Sequence, residues 1–117
     1  MDLRDLVEAL LARDALKARQ WAADAAREAV IWTEVPLHVG WSELELAVAA
    51  GIVELFASRS QQAPPSWTAT IGCAPDPLYL VRAAETMPRL RRSCETEGPT
   101  PLRVRRIYAP PEFLTAA

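Results

Sequence analysis

The chain has 117 residues, half of them hydrophobic and 24% charged, with a formal net charge of −2. That length fits one domain with a core of its own, and that balance excludes a disordered or fibrous chain. An acidic front and a basic back argue against wholesale coating of nucleic acid, and two lone cysteines, Cys73 and Cys94, lie far apart and in no Cys-x-x-Cys pair.

Asn is absent, Lys17 is the one lysine, and the other twelve basic residues are arginine, a bias that a high-GC bacterial genome gives. The opening Met-Asp-Leu-Arg-Asp has no apolar run behind a basic start, so no signal peptide is expected. The expected setting is a bacterial cytosol, where both thiols stay reduced. The charge is uneven. Residues 1–62 hold ten acids against six bases, whereas residues 82–106 hold seven arginines against three acids. An acidic front and a basic back permit a local basic patch.

Over Asp2–Arg13, Leu3, Leu6, Val7, Leu10 and Leu11 fall at the spacing of one helical face. Asp2 is a good N-cap, and Asp5 suits the positive end of the helix dipole. Asp14 reads as a second N-cap that opens Ala15–Ile31, with Ala18, Trp21, Ala22, Ala25, Ala29 and Trp32 along one side. Two arrangements compete: a hairpin broken at Arg13–Asp14, or one long helix. The near-continuous stripe favours the long helix; the placement of Asp14 within that stripe favours the hairpin, which is the expectation here. Thr33–Gly40 is a linker around Pro36.

Trp41–Ser60 organises the rest. Ser42 and Glu45 stand at capping-box spacing, and Trp41 and Leu46 at hydrophobic-staple spacing. Only Gly51 and Glu54 interrupt the apolar run from Leu46 to Phe56, so the helix is expected to lie buried among others. It is too short, and too charged at both ends, to cross a bilayer. Ser58–Ser66 is a polar, Pro-containing loop. Trp67–Ile71 alternates and is expected to be extended over the core. Gly72–Ala74 turns. Asp76-Pro77 has the pattern of an N-cap with Pro at the first helical position, predicting a short helix with Leu78, Val81 and Ala84 inward. Pro88 opens the next helix, Arg89–Glu97, with Leu90 and Cys94 on one face and Gly98-Pro99 as its stop.

Pro99–Ala117 differs in kind, with four prolines. If Leu102–Tyr108 is extended, Leu102 and Val104 face one way and Arg103, Arg105 and Ile107 the other. Pro110-Pro111 favours a stiff polyproline segment, which presents Tyr108, Phe113 and Leu114 as anchors at low entropic cost. The strap either folds back on its own domain or grips another chain.

No motif carries catalysis. Gly40, Gly51, Gly72 and Gly98 are scattered and form neither a dinucleotide fingerprint nor a P-loop. His38 is the only histidine, and a metal site needs several ligands. Glu43 and Glu45 diverge on a helix. Ser58 and Ser60 have no histidine placed by a motif. No cofactor, metal or catalytic residue is assigned.

The run Arg-Arg-Ile-Tyr-Ala-Pro-Pro-Glu-Phe-Leu, Arg105–Leu114, resembles the ending of a group of short uncharacterised bacterial proteins, and Ala18–Trp21 resembles their first helices. Those proteins are similar to small partners encoded beside nucleotidyltransferase-like genes, in arrangements like toxin–antitoxin pairs. The resemblance implies a partner-binding role and carries over no functional residue.

The expectation is thus an all-α fold: about five helices around a buried central helix in residues 1–98, with an extended Pro-rich arm over residues 99–117. The expected function is non-catalytic protein–protein interaction, as an antitoxin-like or accessory subunit. Tyr108, Phe113 and Leu114 would anchor the partner chain, and Arg103, Arg105 and Arg106 would steer it. A first alternative is a nucleic-acid-binding regulator using Arg89, Arg91, Arg92 and the tail arginines. A second is a small enzyme or ligand-binding domain with a pocket beside Trp21, Trp32, Trp41 and Trp67.

Overall fold

A computed structural model describes residues 2–115. These run α1 (Leu3–Leu11), α2 (Ala15–Glu28), α3 (Glu43–Arg59), β1 (Leu78–Tyr79), α4 (Pro88–Glu97), α5 (Thr100–Arg103) and β2 (Ile107–Tyr108), with short 3₁₀ turns between. The fold is all-α, and the strands are a single two-residue pair.

The first two helices are a hairpin. Arg13 takes a left-handed φ of 57°, and the Asp14 carboxylate accepts the Lys17 amide at 3.1 Å, so the chain restarts as a second helix. The Trp21 indole in mid-α2 donates to the Asp2 carbonyl at the head of α1, at 2.9 Å. A continuous helix would hold those two residues about 28 Å apart. α2 stops at Glu28 rather than reaching Ile31, because Ala29 is left-handed at φ 50° and ψ 54°. Trp32 therefore leaves the α2 stripe for a 3₁₀ turn, where its amide donates to the Gln62 side chain at 2.8 Å.

α3 begins with the expected capping box: the Glu45 amide donates to the Ser42 hydroxyl at 3.1 Å, and the Ser42 amide to the Glu45 carboxylate at 2.9 Å. Ten of its seventeen residues are buried, so it has no broad solvent face and acts as the hub. α1, α5 and two 3₁₀ turns pack around it. Leu6, Ile52, Leu102 and Ile107 are fully buried. Each such side chain contributes on the order of 1.5–3 kcal/mol from removal of apolar surface.

The second half departs from the local signals in three places. Trp67 lies in a 3₁₀ turn, Ser66–Thr70, instead of an extended segment, and its indole donates to the Val35 carbonyl at 2.8 Å. The segment after Asp76-Pro77 is β1 and a 3₁₀ turn, Arg82–Glu85, instead of an α-helix. The Leu78 and Leu80 amides donate to the Arg106 and Tyr108 carbonyls, both at 3.0 Å, so β2 supplies parallel pairing that outweighs the cap signal. Leu102–Tyr108 is not one extended run. Pro101 sits in the first turn of α5, where its missing N–H costs nothing, and Leu102 turns into the core beside Gly51. α4 starts at Pro88 as expected and buries Cys94.

Candidate partner-binding surface

The six residues expected to grip a partner do not form one exposed patch. Arg105 is 7% exposed; its guanidinium pairs with Glu54 on α3 and donates to the Thr68 carbonyl at 2.8 Å. Leu114 is 8% exposed and belongs to the core. Arg103 is turned back on its own segment, donating to the Thr96 carbonyl at 3.0 Å and the Thr100 hydroxyl at 3.2 Å. Arg106 is exposed and donates to the Pro75 carbonyl at 3.1 Å. Tyr108 is half-buried with its ring 5.2 Å from that of Tyr79. Phe113 is half-buried, and its carbonyl accepts from Arg59 at 2.7 Å. Residues 99–115 therefore dock on the domain of which they are part.

The chemically suggestive side chains are held in structural roles. The Tyr79 hydroxyl donates to the Glu95 carboxylate, and Arg91 lies over the Tyr79 ring at 4.9 Å. The bond to Glu95, with burial adding to it, pushes the Tyr79 phenol above its usual range. A phenol so held is a poor base at neutral pH. Burial, reinforced by the Glu95 charge, likewise raises the Cys94 thiol and suppresses its thiolate. The His38 ring stacks on Trp41 at 4.8 Å. Among the described residues, no group of three or more His, Cys, Asp or Glu is placed to hold a metal. The tryptophans are also divided. Trp21 and Trp32 cluster with Phe56 and line an open cleft of about 330 Å³, whereas Trp67 is tied to Val35 and does not line it.

An open apolar cleft of about 390 Å³ lies at the α1–α2 corner. Its walls are Leu10, Ala15 and Ala18 from the hairpin, Leu80 after β1, and Phe113 and Leu114 from the C-terminal turn. Arg13, Arg19 and Arg82 also line it. Arg13 is paired with Glu85, while Arg19 and Arg82 have no acidic partner among the described residues. Leu16, which follows Ala15 in the chain, is 73% exposed but lies about 100° round the helix from Ala15 and is not part of this lining. Of the expected site residues, Phe113 and Leu114 contribute here. Arg19 and Arg82 were not singled out by the sequence as site residues. Arg19 does stand off the apolar stripe of α2, which was the available signal; for Arg82 there was none.

No family model matches this chain, and no curated protein or solved structure matches it either. Among the described residues, no helix is long and apolar enough to cross a membrane.

Proposed function

We propose that this chain is a non-catalytic protein–protein interaction module, an antitoxin-like or accessory subunit that acts in a bacterial cytosol. The observation that carries this reading is the apolar cleft at the α1–α2 corner with its arginine rim. Interfaces are built this way, with an apolar centre that excludes water and charged groups around it that orient the partner. The docked C-terminal turn supports the reading in altered form: Phe113 and Leu114 form a wall of the receptor rather than a free hook. The resemblance of Arg105–Leu114 to small partner proteins points the same way.

The test is co-purification. The tagged chain is expressed together with the products of its neighbouring genes, and the eluate is weighed by light scattering and mass spectrometry. A stoichiometric partner that survives high salt and is lost in an Ala15→Glu variant, a change at an exposed residue of the cleft wall, is the expected result. Elution of the wild-type chain alone, or undiminished capture by Ala15→Glu, overturns the reading.

A further inference from the structure

The cleft is one half of a longer feature. A second cleft of about 310 Å³ lies over Ala22, Ala25, Ala26 and Ala29, between α2 and the end of α3. Leu114 lines both clefts, and the α2 residues that line them share one helical face. From Ala15 to Ala29 the combined groove follows α2 for about 21 Å, roughly four helical turns.

We infer that this groove receives an acidic amphipathic helix of about four turns from a partner protein. The inference rests on the partner-binding reading and specifies what that partner presents. Charge complementarity selects the occupant. Arg13, Arg19 and Arg82 line one end and Arg59 the other, while among the described residues the single lining carboxylate is Asp14, which already accepts the Lys17 amide. Arg13 is paired with Glu85, which leaves three cations against that one carboxylate, a local excess in a chain whose net charge is −2. A guest helix with glutamates or aspartates flanking an apolar stripe satisfies both the floor and the rim. The alanine floor leaves room for large guest side chains, which the chain itself does not supply there.

A second copy of this chain fits poorly. The apolar faces of α1 and α3 are buried, and α4 offers Arg89, Arg91 and Arg92 to solvent, which the groove arginines repel. A nucleic acid has no use for an apolar floor of this length.

The probe is a sixteen-residue peptide with leucine on one helical stripe and glutamate elsewhere, carrying a fluorescein label, read by anisotropy. Its control has lysine in place of glutamate. The expected result is saturable one-to-one binding of the Glu peptide, at least about tenfold tighter than the Lys peptide, and weakening with salt. Arg19→Glu with Arg82→Glu should reduce that affinity about tenfold. Ala26→Trp, a substitution at an exposed groove position, should abolish it while circular dichroism shows the fold intact. No saturable binding, equal binding of the two peptides, or full binding by Ala26→Trp overturns the inference. A fatty acid found by native mass spectrometry and not displaced by the peptide also overturns it, because the groove is then a lipid site. Ala26→Trp in the co-purification separates the two readings. A partner retained by that variant sinks the groove and leaves the interaction reading standing; peptide binding by a chain that elutes without any partner does the reverse.

Discussion

Arg105 locks the C-terminal segment onto the central helix through Glu54. Both terminal guanidinium nitrogens meet the carboxylate, with Nη2 to Oε2 at 3.3 Å and Nη1 to Oε1 closer. Nη2 also donates to the carbonyl of Thr68 at 2.8 Å, so one side chain joins α3, the 3₁₀ turn over Ser66–Thr70 and the C-terminal segment. Breaking one side of a buried pair leaves the other charge unpaired, which costs about 3 kcal/mol or more. Arg105→Ala is therefore expected to lower the unfolding free energy by about 3 kcal/mol. The Glu54→Leu, Arg105→Leu double variant should lose less than that single variant. Urea unfolding of the wild type, the Glu54→Leu and Arg105→Leu singles and their double closes the cycle, and a double loss equal to the sum of the singles would refute the coupling.

Gly51 lets α3 and α5 approach closely in the core. A Cβ there would lie 2.8 Å from Leu102 Cδ2 and 3.3 Å from the Pro101 carbonyl, and Leu102 is fully buried. Alanine gains about 1 kcal/mol over glycine from helix propensity, but overpacking a closed contact costs about 1–3 kcal/mol. The expected outcome is that Gly51→Ala destabilises by about 1 kcal/mol on thermal unfolding. In the Leu102→Ala background, where the obstructing side chain is gone, the same substitution should turn neutral or stabilising.

The two thiols should separate cleanly. Cys73 is exposed, with its sulfur 3.3 Å from the Val104 carbonyl, whereas Cys94 is buried and its thiol is raised by that burial. An aromatic disulfide reagent at mildly alkaline pH is expected to titrate one thiol in the native protein and two in concentrated guanidinium. Cys73→Ser should remove the fast phase. Rapid modification of Cys94 in that folded variant would contradict its placement in α4.

The capping box of α3 predicts an acid dependence. Hydrogen bonds from the Ser42 amide and then the Ser42 hydroxyl, with the charge of Arg4 adding, hold the Glu45 carboxyl below its ordinary value. A depressed carboxylate contributes stability that is present above the unfolded value of about 4.3 and lost as the pH falls through the lower folded value. Glu45→Gln should therefore melt below wild type at neutral pH, and the two should converge in strong acid. Ser42→Ala should cost about 1 kcal/mol at neutral pH. A gap between wild type and Glu45→Gln that persists unchanged into strong acid would refute the linkage.

The candidate surface was only partly legible in the chain. Phe113 and Leu114 stand out as apolar residues after a proline pair, and both line the cleft. Arg105 looked like a free steering charge because the alternation test assumes one extended run. Pro101 instead starts a helical turn, and the phase of every residue after it changes. The Arg-rich tail is thus not a detachable hook. Leu102, Arg105, Ile107 and Ala109 are all buried, so removal of residues 99–117 takes away part of the core together with any binding role.

What the sequence determined by itself is whatever neighbours in the chain decide. The Asp14 restart, the Ser42–Glu45 box and the Pro88 opening each involve groups within a few residues of one another, and all three form where the sequence puts them. The buried central helix follows as well, because a helix apolar on every side has nowhere else to go. Tertiary structure alone decided the rest. Trp32 follows Gln62, Trp67 follows Val35, β1 follows β2, and Arg105 follows Glu54, across separations of 30, 32, 29 and 51 residues. The groove belongs to this second group. Its floor is α2, its middle is Leu114, and its charges come from four separate segments. Contacts of that range carry no local periodicity, because the atoms that satisfy them arrive only when the chain has closed on itself.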